Sequence, residues 1–353
     1  MSVFEHPWLG GIFCDEEIAL IMAPEAQLVR MLKIECAWSL VLGDIGRVGP
    51  DVAEAAAQAI LSADIDMGAL RAGTAKDGLA VPTLVRLLKS GMAEALHPAV
   101  HKGLTSQDVI DTELVLALGR ILPLMERRLQ GLIGALEAVS VAHGARPLMG
   151  RTRMQAAVEI TVADRVATWQ RPLVRHLERL VALREAVLCL QFGGAAGTRD
   201  VLGDDGPAAA VALAARLGLN NPDAQWHAAR DTLVDLAGWL SLVTGSLGKM
   251  GQDISLMAQQ GLDEIKIAGG GSSSAMPHKA NPILAELLVT LARFNATQVS
   301  GMHQAMVHEQ ERSGAAWALE WMILPQMLNA TARGLGAAGA LVENIQSIGN
   351  AAT

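Results

Sequence analysis

A long series of apolar residues, spaced by three and four positions, constrains the fold of this chain more than any other feature. The series follows Thr105 and consists of Leu114, Leu118, Ile121, Met125, Leu129, Leu132 and Leu136. Residues with this spacing lie on one face of an α-helix, so the series predicts a long helix with a single buried stripe. Its average period of about 3.7 residues indicates that the stripe runs nearly straight along the helix. Pro123 is expected to kink this helix because proline removes a backbone N–H donor.

Two further stripes of the same kind follow. The second consists of Val162, Val166, Trp169, Leu173, Leu177 and Leu180. The third consists of Leu233, Leu236, Leu240, Val243, Leu247, Met250, Ile254 and Met257. Long helices that each have one apolar stripe bury it best against one another and against other copies of the chain.

Signals for β-strands are scarce. The chain has no tyrosine and only four phenylalanines, and no run of alternating apolar and polar residues is evident. Its many alanines and leucines favour helix instead. We therefore predict an all-α chain, with a helical N-terminal domain at residues 1–104 and a helix-bundle domain at residues 105–353.

Composition excludes several classes of partner. The chain of 353 residues is long enough for two domains and a large core, being 51% hydrophobic and 18% charged. Its net charge of −8 argues against a nucleic-acid partner, which requires a basic face. Its apolar runs are too short to span a bilayer, and no export signal is evident at the N-terminus. The three cysteines lack the spacing of metal ligands, so we expect no metal and reduced thiols, which are typical of a cytoplasmic protein. We also expect no cofactor.

The segment GGGSSSAMPHKANP, residues 269–282, differs from the helical remainder. Its glycines allow the backbone to close over a ligand and present N–H groups, and its two prolines stiffen the exit. A solvated Gly/Ser linker is the alternative interpretation. Lys279 and Asn281 lie between the prolines and argue against a linker. We interpret the segment as part of an active-site loop at residues 264–282.

Four blocks of the chain match one known family. Residues 273–282 match the signature G-S-S-x-M-P-x-K-x-N-P of the fumarase/aspartase superfamily, with Ser272 in place of the first glycine. The blocks HKGLTSQDVIDT from His101, GRTRMQ from Gly150 and GGAAGT from Gly193 follow the order of that family. On these blocks the chain resembles the fumarase/aspartase superfamily.

The resemblance implies a fold and a chemistry. In that superfamily, long-helix bundles form a homotetrameric core, and the blocks of different subunits meet in one site. The shared step removes a proton from the carbon next to a carboxylate, and preorganised donors stabilise the resulting dianion. By resemblance, Ser273 transfers the proton, Lys279 and the loop amides stabilise its alkoxide, and Ser274 belongs to the same catalytic group.

Hydroxyls and cations within the blocks are the candidate substrate ligands. Thr105 or Ser106 is a natural N-cap, and the free N–H groups of a helix start bind carboxylates; a capping role alone is the alternative. Positions 151, 152 and 155 lie within one turn if that block is helical, and an ordinary solvated helix start is the alternative there. The full set of candidate binding residues is His101, Thr105, Ser106, Arg151, Thr152, Arg153, Gln155, Thr198, Met276, Asn281 and Arg312.

Arg153 indicates a branch of the superfamily. Most of its lyases have a histidine at this position that assists acid/base catalysis, whereas an arginine does not exchange protons at neutral pH. The chain thereby resembles the lactonising cycloisomerases, whose small tricarboxylate substrate adds one of its own carboxylates to a conjugated diene. In such a reaction Arg153 is expected to hold a substrate carboxylate.

Two other functions stay open. The segments TSQDVIDT and MPHK are shared with adenylosuccinate-type lyases, although Arg153 and the lack of tyrosine argue against that activity. A non-catalytic structural paralogue is less favoured because Ser273, Lys279 and Asn281 are intact. The chain stops near residue 353, so the C-terminal helical domain of longer members is expected to be absent or truncated.

Overall fold

The computed structural model describes residues 2–271 and 281–350. The N-terminal helices are α1 (Gly10–Phe13), α2 (Glu16–Ile21), α3 (Pro24–Asp44), α4 (Pro50–Leu61), α5 (Met67–Asp77) and α6 (Val81–Ser90). A 3-10 helix, Glu94–Ala99, leads to the second set. This set comprises α7 (Ser106–His143), α8 (Val162–Val187), α9 (Gly206–Leu217), α10 (Asp231–Met257), α11 (Ile283–Ala305) and α12 (Ala315–Glu343). Within the described residues, no helix is long and apolar enough to cross a membrane.

The helices α7, α8, α10, α11 and α12 form an antiparallel bundle, in which α10 packs against α8, α11 and α12. The side chain of Arg230, just before α10, binds Asp111 near the start of α7, so these two helices begin side by side. Arg312, just before α12, binds Gln107 of α7, so α12 begins at the same place. The chain returns along α8 and α11, which run in the opposite direction.

Two short antiparallel sheets lie at the other end of the bundle. β1 (Pro147–Thr152) pairs with β2 (Gln155–Thr161), and β3 (Ile265–Ile267) pairs with β4 (Ile345–Ile348). The N–H of Asn350 donates to the carbonyl of Pro147, which joins the two sheets. We call this the hairpin end of the bundle, and the end at which α7 begins the Thr105 end.

The prediction that positions 151, 152 and 155 share one helical turn is wrong. Thr152 pairs with Gln155 across a two-residue turn, in which Arg153 has φ 49° and Met154 has φ 67°. Positive φ at both central residues is the geometry of a tight hairpin turn. Residues 152–159 are all exposed, so this hairpin has no alternating apolar pattern that reveals it in the sequence. Helices dominate elsewhere, and the all-α fold class is confirmed.

The three predicted stripes form one core. In α7 the stripe residues from Leu118 to Leu136 are buried, and Pro123 lies inside the helix. In α8 and α10 all stripe residues are buried except Leu177, which is partly buried against the same core. Leu114 of α7 is also partly buried. The periodicity therefore predicted the faces that hold the bundle together.

A second core lies beside the bundle. It contains Trp38 of α3 and Leu84 of α6 together with Phe192 and Leu213. Residues before position 104 thus share a core with α9 and with the segment that precedes it. The domain division at residues 104 and 105 stays a prediction.

A buried histidine couples the stability of the bundle to pH. His176 of α8 is 3% exposed, and its Nε2 lies 2.8 Å from the Ser246 hydroxyl of α10. Burial, and then the charges of Arg179 and Arg175, lower the pKa of His176 from 6.5 to about 4. Between these values the unfolded chain binds a proton that the folded chain does not, so stability falls as the pH drops through this window. We expect the free energy of unfolding to fall by up to about 3 kcal/mol between pH 7 and pH 4 from this group.

Denaturant unfolding at several pH values measures this effect. The substitution His176→Gln should flatten that part of the pH dependence. His303→Gln, which changes an exposed histidine of α11, is the matched control and should leave it unchanged. An identical pH dependence in the wild type and His176→Gln would contradict the assignment.

Candidate active site

The start of α7 forms the predicted N-cap at Thr105. The N–H of Thr105 donates to Asp108 Oδ2 at 2.9 Å, and Ser106 is the first residue of the helix. Thr105 and Ser106 are both half-buried. The N–H groups of a first helical turn have no partner within the helix, and they favour an anion together with the helix dipole. This helix start is therefore suited to a carboxylate.

Asp108 joins the start of α7 to the GGAAGT block. Its Oδ1 accepts a hydrogen bond from the Gly193 N–H at 2.8 Å, and its Oδ2 accepts one from the Gly194 N–H at 3.0 Å. The same Oδ1 lies 2.8 Å from His227 Nε2. A Cβ at position 193 would lie 2.8 Å from the His227 ring, so only glycine fits there. Asp108 is 1% exposed, and these bonds fix the loop against the helix.

Arg312 attaches to the same two segments. Its Nε donates to Gln107 Oε1 at 3.0 Å, and its Nη2 donates to the Ala195 carbonyl at 3.1 Å. Thr198 is exposed on the same loop as Ala195. The structure therefore brings four of the predicted binding residues together at the Thr105 end, namely Thr105, Ser106, Thr198 and Arg312.

His101 lies in the turn that precedes Thr105. It has φ 58°, and its Nδ1 lies 2.6 Å from Glu35 Oε1. Burial alone would lower the pKa of His101, but the charge and the hydrogen bond of Glu35 outweigh it and raise that pKa above 6.5. Nδ1 of His101 is thus bound to Glu35 of α3. This contact fixes the turn that precedes Thr105.

A buried ion cluster lies beneath the start of α7. Nη1 of Arg230 donates to Asp111 Oδ2 at 2.7 Å, and its Nη2 donates to Glu320 Oε2 at 2.5 Å. Trp317 Nε1 also donates to Asp111, at 3.0 Å. Burial works against the charge of Arg230, but Asp111 and Glu320 outweigh it and raise the pKa of this arginine. The cluster fixes the starts of α7, α10 and α12 relative to one another.

The hairpin end holds the second group of candidates. Nη1 of Arg151 donates to Glu264 Oε1 at 2.7 Å, and the carboxylate of Glu264 is nearly buried. Thr152, Arg153 and Gln155 are exposed around the hairpin turn. Arg151 therefore already has a carboxylate partner within its own chain, whereas the Arg153 side chain is presented to the surroundings.

Asn281 closes the base of the predicted active-site loop. It exchanges two backbone hydrogen bonds with Gly271, at 2.9 and 3.0 Å. A Cβ at position 271 would lie 2.5 Å from the Ile283 side chain, so glycine allows this close approach. The predicted loop residues Ser273, Ser274, Met276 and Lys279 lie outside the described residues.

The two groups of candidates are far apart within one chain. The helix α10 joins the two ends of the bundle, and its 27 residues span about 40 Å. Thr105 and Arg312 lie at one end, and Arg151 and Asn281 lie at the other. One chain by itself does not bring all the predicted residues into a single site.

Sequence reasoning missed four polar residues of these two ends. His227 and Arg230 precede α10 in the segment WHAARD, where a tryptophan, a histidine and an arginine cluster directly before a helix. That clustering was the available signal. No cluster of polar residues in the sequence marks Glu320 or Glu264. Each pairs with an arginine that is far away in the sequence.

Comparison with known proteins agrees with this fold. A family model described as a lyase matches residues 48–301. The chain is 40% identical to a 3-carboxy-cis,cis-muconate cycloisomerase of Pseudomonas aeruginosa, over 92% of this chain and 72% of the relative. It is 37% identical to the cycloisomerase of that name from Pseudomonas putida, over 98% of this chain and 81% of the relative.

Solved structures give the same result. The 3-carboxy-cis,cis-muconate lactonizing enzyme of Pseudomonas putida superposes with a TM-score of 0.90 at 35% identity, over 97% of this chain and 77% of that one. A fumarate lyase of a Mesorhizobium species superposes with a TM-score of 0.89 at 30% identity, over 95% of this chain and 76% of that one. The chain belongs to this lyase family, within the fumarase/aspartase superfamily.

Proposed function

We propose that this chain is a cycloisomerase that converts 3-carboxy-cis,cis-muconate to 4-carboxymuconolactone, a reaction of protocatechuate catabolism. The observation that carries the proposal is the similarity to bacterial cycloisomerases of this name over nearly the whole chain. We further propose that the enzyme acts in the cytoplasm.

The polar groups at the two ends of the bundle suit a tricarboxylate. The Thr105 end has a helix start with Arg312 nearby, and the hairpin end has Arg151 and Arg153. These cations are gathered in two places although the chain as a whole has a net charge of −8. A substrate with three carboxylates matches several separate donor groups.

The lactonisation forms one C–O bond, breaks the π bond of one C=C of the diene, and adds one proton to the carbon next to a carboxylate. An internal carboxylate oxygen bonds to a carbon of the diene, and negative charge develops on another carboxylate through an aci-carboxylate. Fixed N–H groups and cations stabilise that charge because they need no reorientation. We propose that Ser273 donates this proton and regains one from water, and that Ser274 and Lys279 belong to the same catalytic group. Arg153 holds a carboxylate and takes no part in proton transfer.

We also propose that the active sites form between the subunits of a homotetramer. Within one chain the start of α7 and the residues Gly271 and Asn281 lie at opposite ends of the bundle, which α10 spans over about 40 Å, so one small substrate cannot reach both. Antiparallel packing of neighbouring copies places the Thr105 end of one chain beside the hairpin end of another. A closed symmetric oligomer then contains equivalent complete sites.

The purified chain tests the proposed reaction directly. With 3-carboxy-cis,cis-muconate as the substrate, we expect loss of the diene absorbance and formation of one lactone, identified by NMR. Adenylosuccinate is the matched comparison, and no AMP should form from it. Formation of AMP, or an unchanged diene, would contradict the proposal.

A further inference from the structure

Arg199 is an arginine that the structure holds in an unusual backbone conformation. It ends the loop of residues 193–199 and has φ 57°, a region that residues other than glycine rarely adopt. Its N–H donates to the Gly193 carbonyl at 2.9 Å, which closes the loop. Backbone conformations of this kind persist where the surroundings enforce them, often at functional sites.

The side chain of Arg199 is also fixed in place. Its Nε donates to the Phe192 carbonyl at 3.0 Å, and its guanidinium carbon lies 5.0 Å from the centre of the Phe192 ring. Burial lowers the pKa of this guanidinium, and the negative charge of Asp108 raises it by a smaller amount. A guanidinium in such a position is still protonated at neutral pH.

The two outer guanidinium nitrogens of Arg199 form no hydrogen bond within the part of the chain that the structure describes. Neither Nη1 nor Nη2 has a protein hydrogen-bond partner there, and the side chain makes no ion pair. Arg312 differs, because its Nε and Nη2 are bound to Gln107 and to the loop carbonyls. Arg312 therefore connects protein segments, whereas Nη1 and Nη2 of Arg199 have no partner among the described residues.

Arg199 lies at the end of the loop that is attached to the start of α7. Its loop is bound to Asp108 through the N–H groups of Gly193 and Gly194, and Asp108 also binds the N–H of Thr105. Thr198 precedes it directly. A carboxylate at the helix start would thus have a preorganised cation on the adjoining loop, which reduces the cost of binding.

We propose that Arg199, rather than Arg312, supplies the cationic contact to a substrate carboxylate at the Thr105 end. This inference rests on the proposed function, because it assumes an anionic tricarboxylate substrate. Arg199 is a binding residue in this proposal, and proton transfer is assigned elsewhere.

Calorimetric titration with tricarballylate, a saturated tricarboxylate, tests the contact without requiring turnover. We expect Arg199→Gln to weaken binding by about tenfold to a hundredfold, the usual effect of losing a hydrogen bond between charged groups. Arg199→Lys should restore part of this loss, since the charge remains and the planar fork is gone. The Gln and Lys variants both keep a Cβ at position 199, so the backbone strain is the same in each.

Arg216→Gln is the matched control. Arg216 lies on the neighbouring helix α9 and pairs with Asp44 at the surface, so its loss should leave binding unchanged. Thermal unfolding of each variant confirms that the fold is intact. With 3-carboxy-cis,cis-muconate as the substrate, Arg199→Gln should raise KM by the same factor and change kcat little.

The outcomes separate this inference from the proposed function. If Arg199→Gln binds tricarballylate as tightly as Arg216→Gln does, the assignment of Arg199 is overturned, whatever the activity. If the wild type binds tricarballylate through Arg199 but leaves the muconate unchanged, the proposed reaction fails and the anion contact stands. If Arg312→Gln weakens binding while Arg199→Gln does not, the roles of the two arginines are the reverse of those proposed.

Discussion

Replacing Ser273 with alanine is expected to lower kcat by a factor of about 10² to 10⁴, the usual contribution of a positioned proton-transfer group. The substitution removes only a hydroxyl, and the described residues on either side, Gly271 and Asn281, are paired with each other. We therefore expect little change in the thermal unfolding midpoint. Steady-state kinetics with 3-carboxy-cis,cis-muconate measure the effect.

The loop provides its own matched control for this experiment. Ser272 occupies the position at which the superfamily signature has glycine, so Ser272→Ala should retain nearly full activity. Turnover by Ser273→Ala at the wild-type rate would contradict the assignment and direct attention to Ser274 and Lys279. An equal loss in both alanine variants would indicate a general disturbance of the loop.

Replacing Arg230 with methionine is expected to lower the free energy of unfolding by about 3–5 kcal/mol. The substitution leaves the carboxylates of Asp111 and Glu320 buried without their cation. Burial raises the pKa of Glu320 even with the arginine present, so without it Glu320 should bind a proton more readily. Denaturant unfolding at pH 7 measures the loss.

Two comparisons make the prediction for Arg230 specific. Arg216→Met breaks an exposed ion pair and should cost no more than about 1 kcal/mol. In Arg230→Met the unfolding free energy should recover as the pH is lowered toward the range in which carboxylates bind protons, because the uncompensated charge is then removed. Equal stability of the two methionine variants would show that the buried cluster does not stabilise the fold.

The fold was predictable where the information is local. The stripes of α7, α8 and α10 follow from spacing along the sequence, since each helix buries one face. Helix α12 gave no such stripe because it is buried on several faces, as the consecutive buried residues 329–332 show. The hairpin at residues 147–161 was missed for the opposite reason, because most of β2 is exposed.

In the candidate site, too, only the features that depend on residues adjacent in sequence were predictable. The cap at Thr105 was predictable because an N-cap and its helix are adjacent in sequence. The partners of Asp108 were not, because Gly193 and His227 are 85 and 119 positions away from it. Sequence motifs therefore identified the segments that meet at the Thr105 end, but not the buried polar contacts that hold them together.

Mixing two inactive variants tests most directly whether one active site combines both ends of the bundle from different chains. Ser273→Ala disables the loop. Ser106→Glu places a negative charge at the helix start, where it is compatible with the helix dipole but repels an anionic substrate. Each variant alone should be inactive. When equal amounts of the two chains reassemble at random, about a quarter of the sites combine an unmutated loop from one chain with an unmutated helix start from another.

The reassembled mixture should recover about a quarter of the wild-type activity if the site is shared between chains. Native mass spectrometry of one isotope-labelled variant confirms that subunits have exchanged. Mixing without prior dissociation is the control and should give no activity. An inactive mixture with complete subunit exchange would contradict the shared site, because sites built within single chains always retain one of the two lesions.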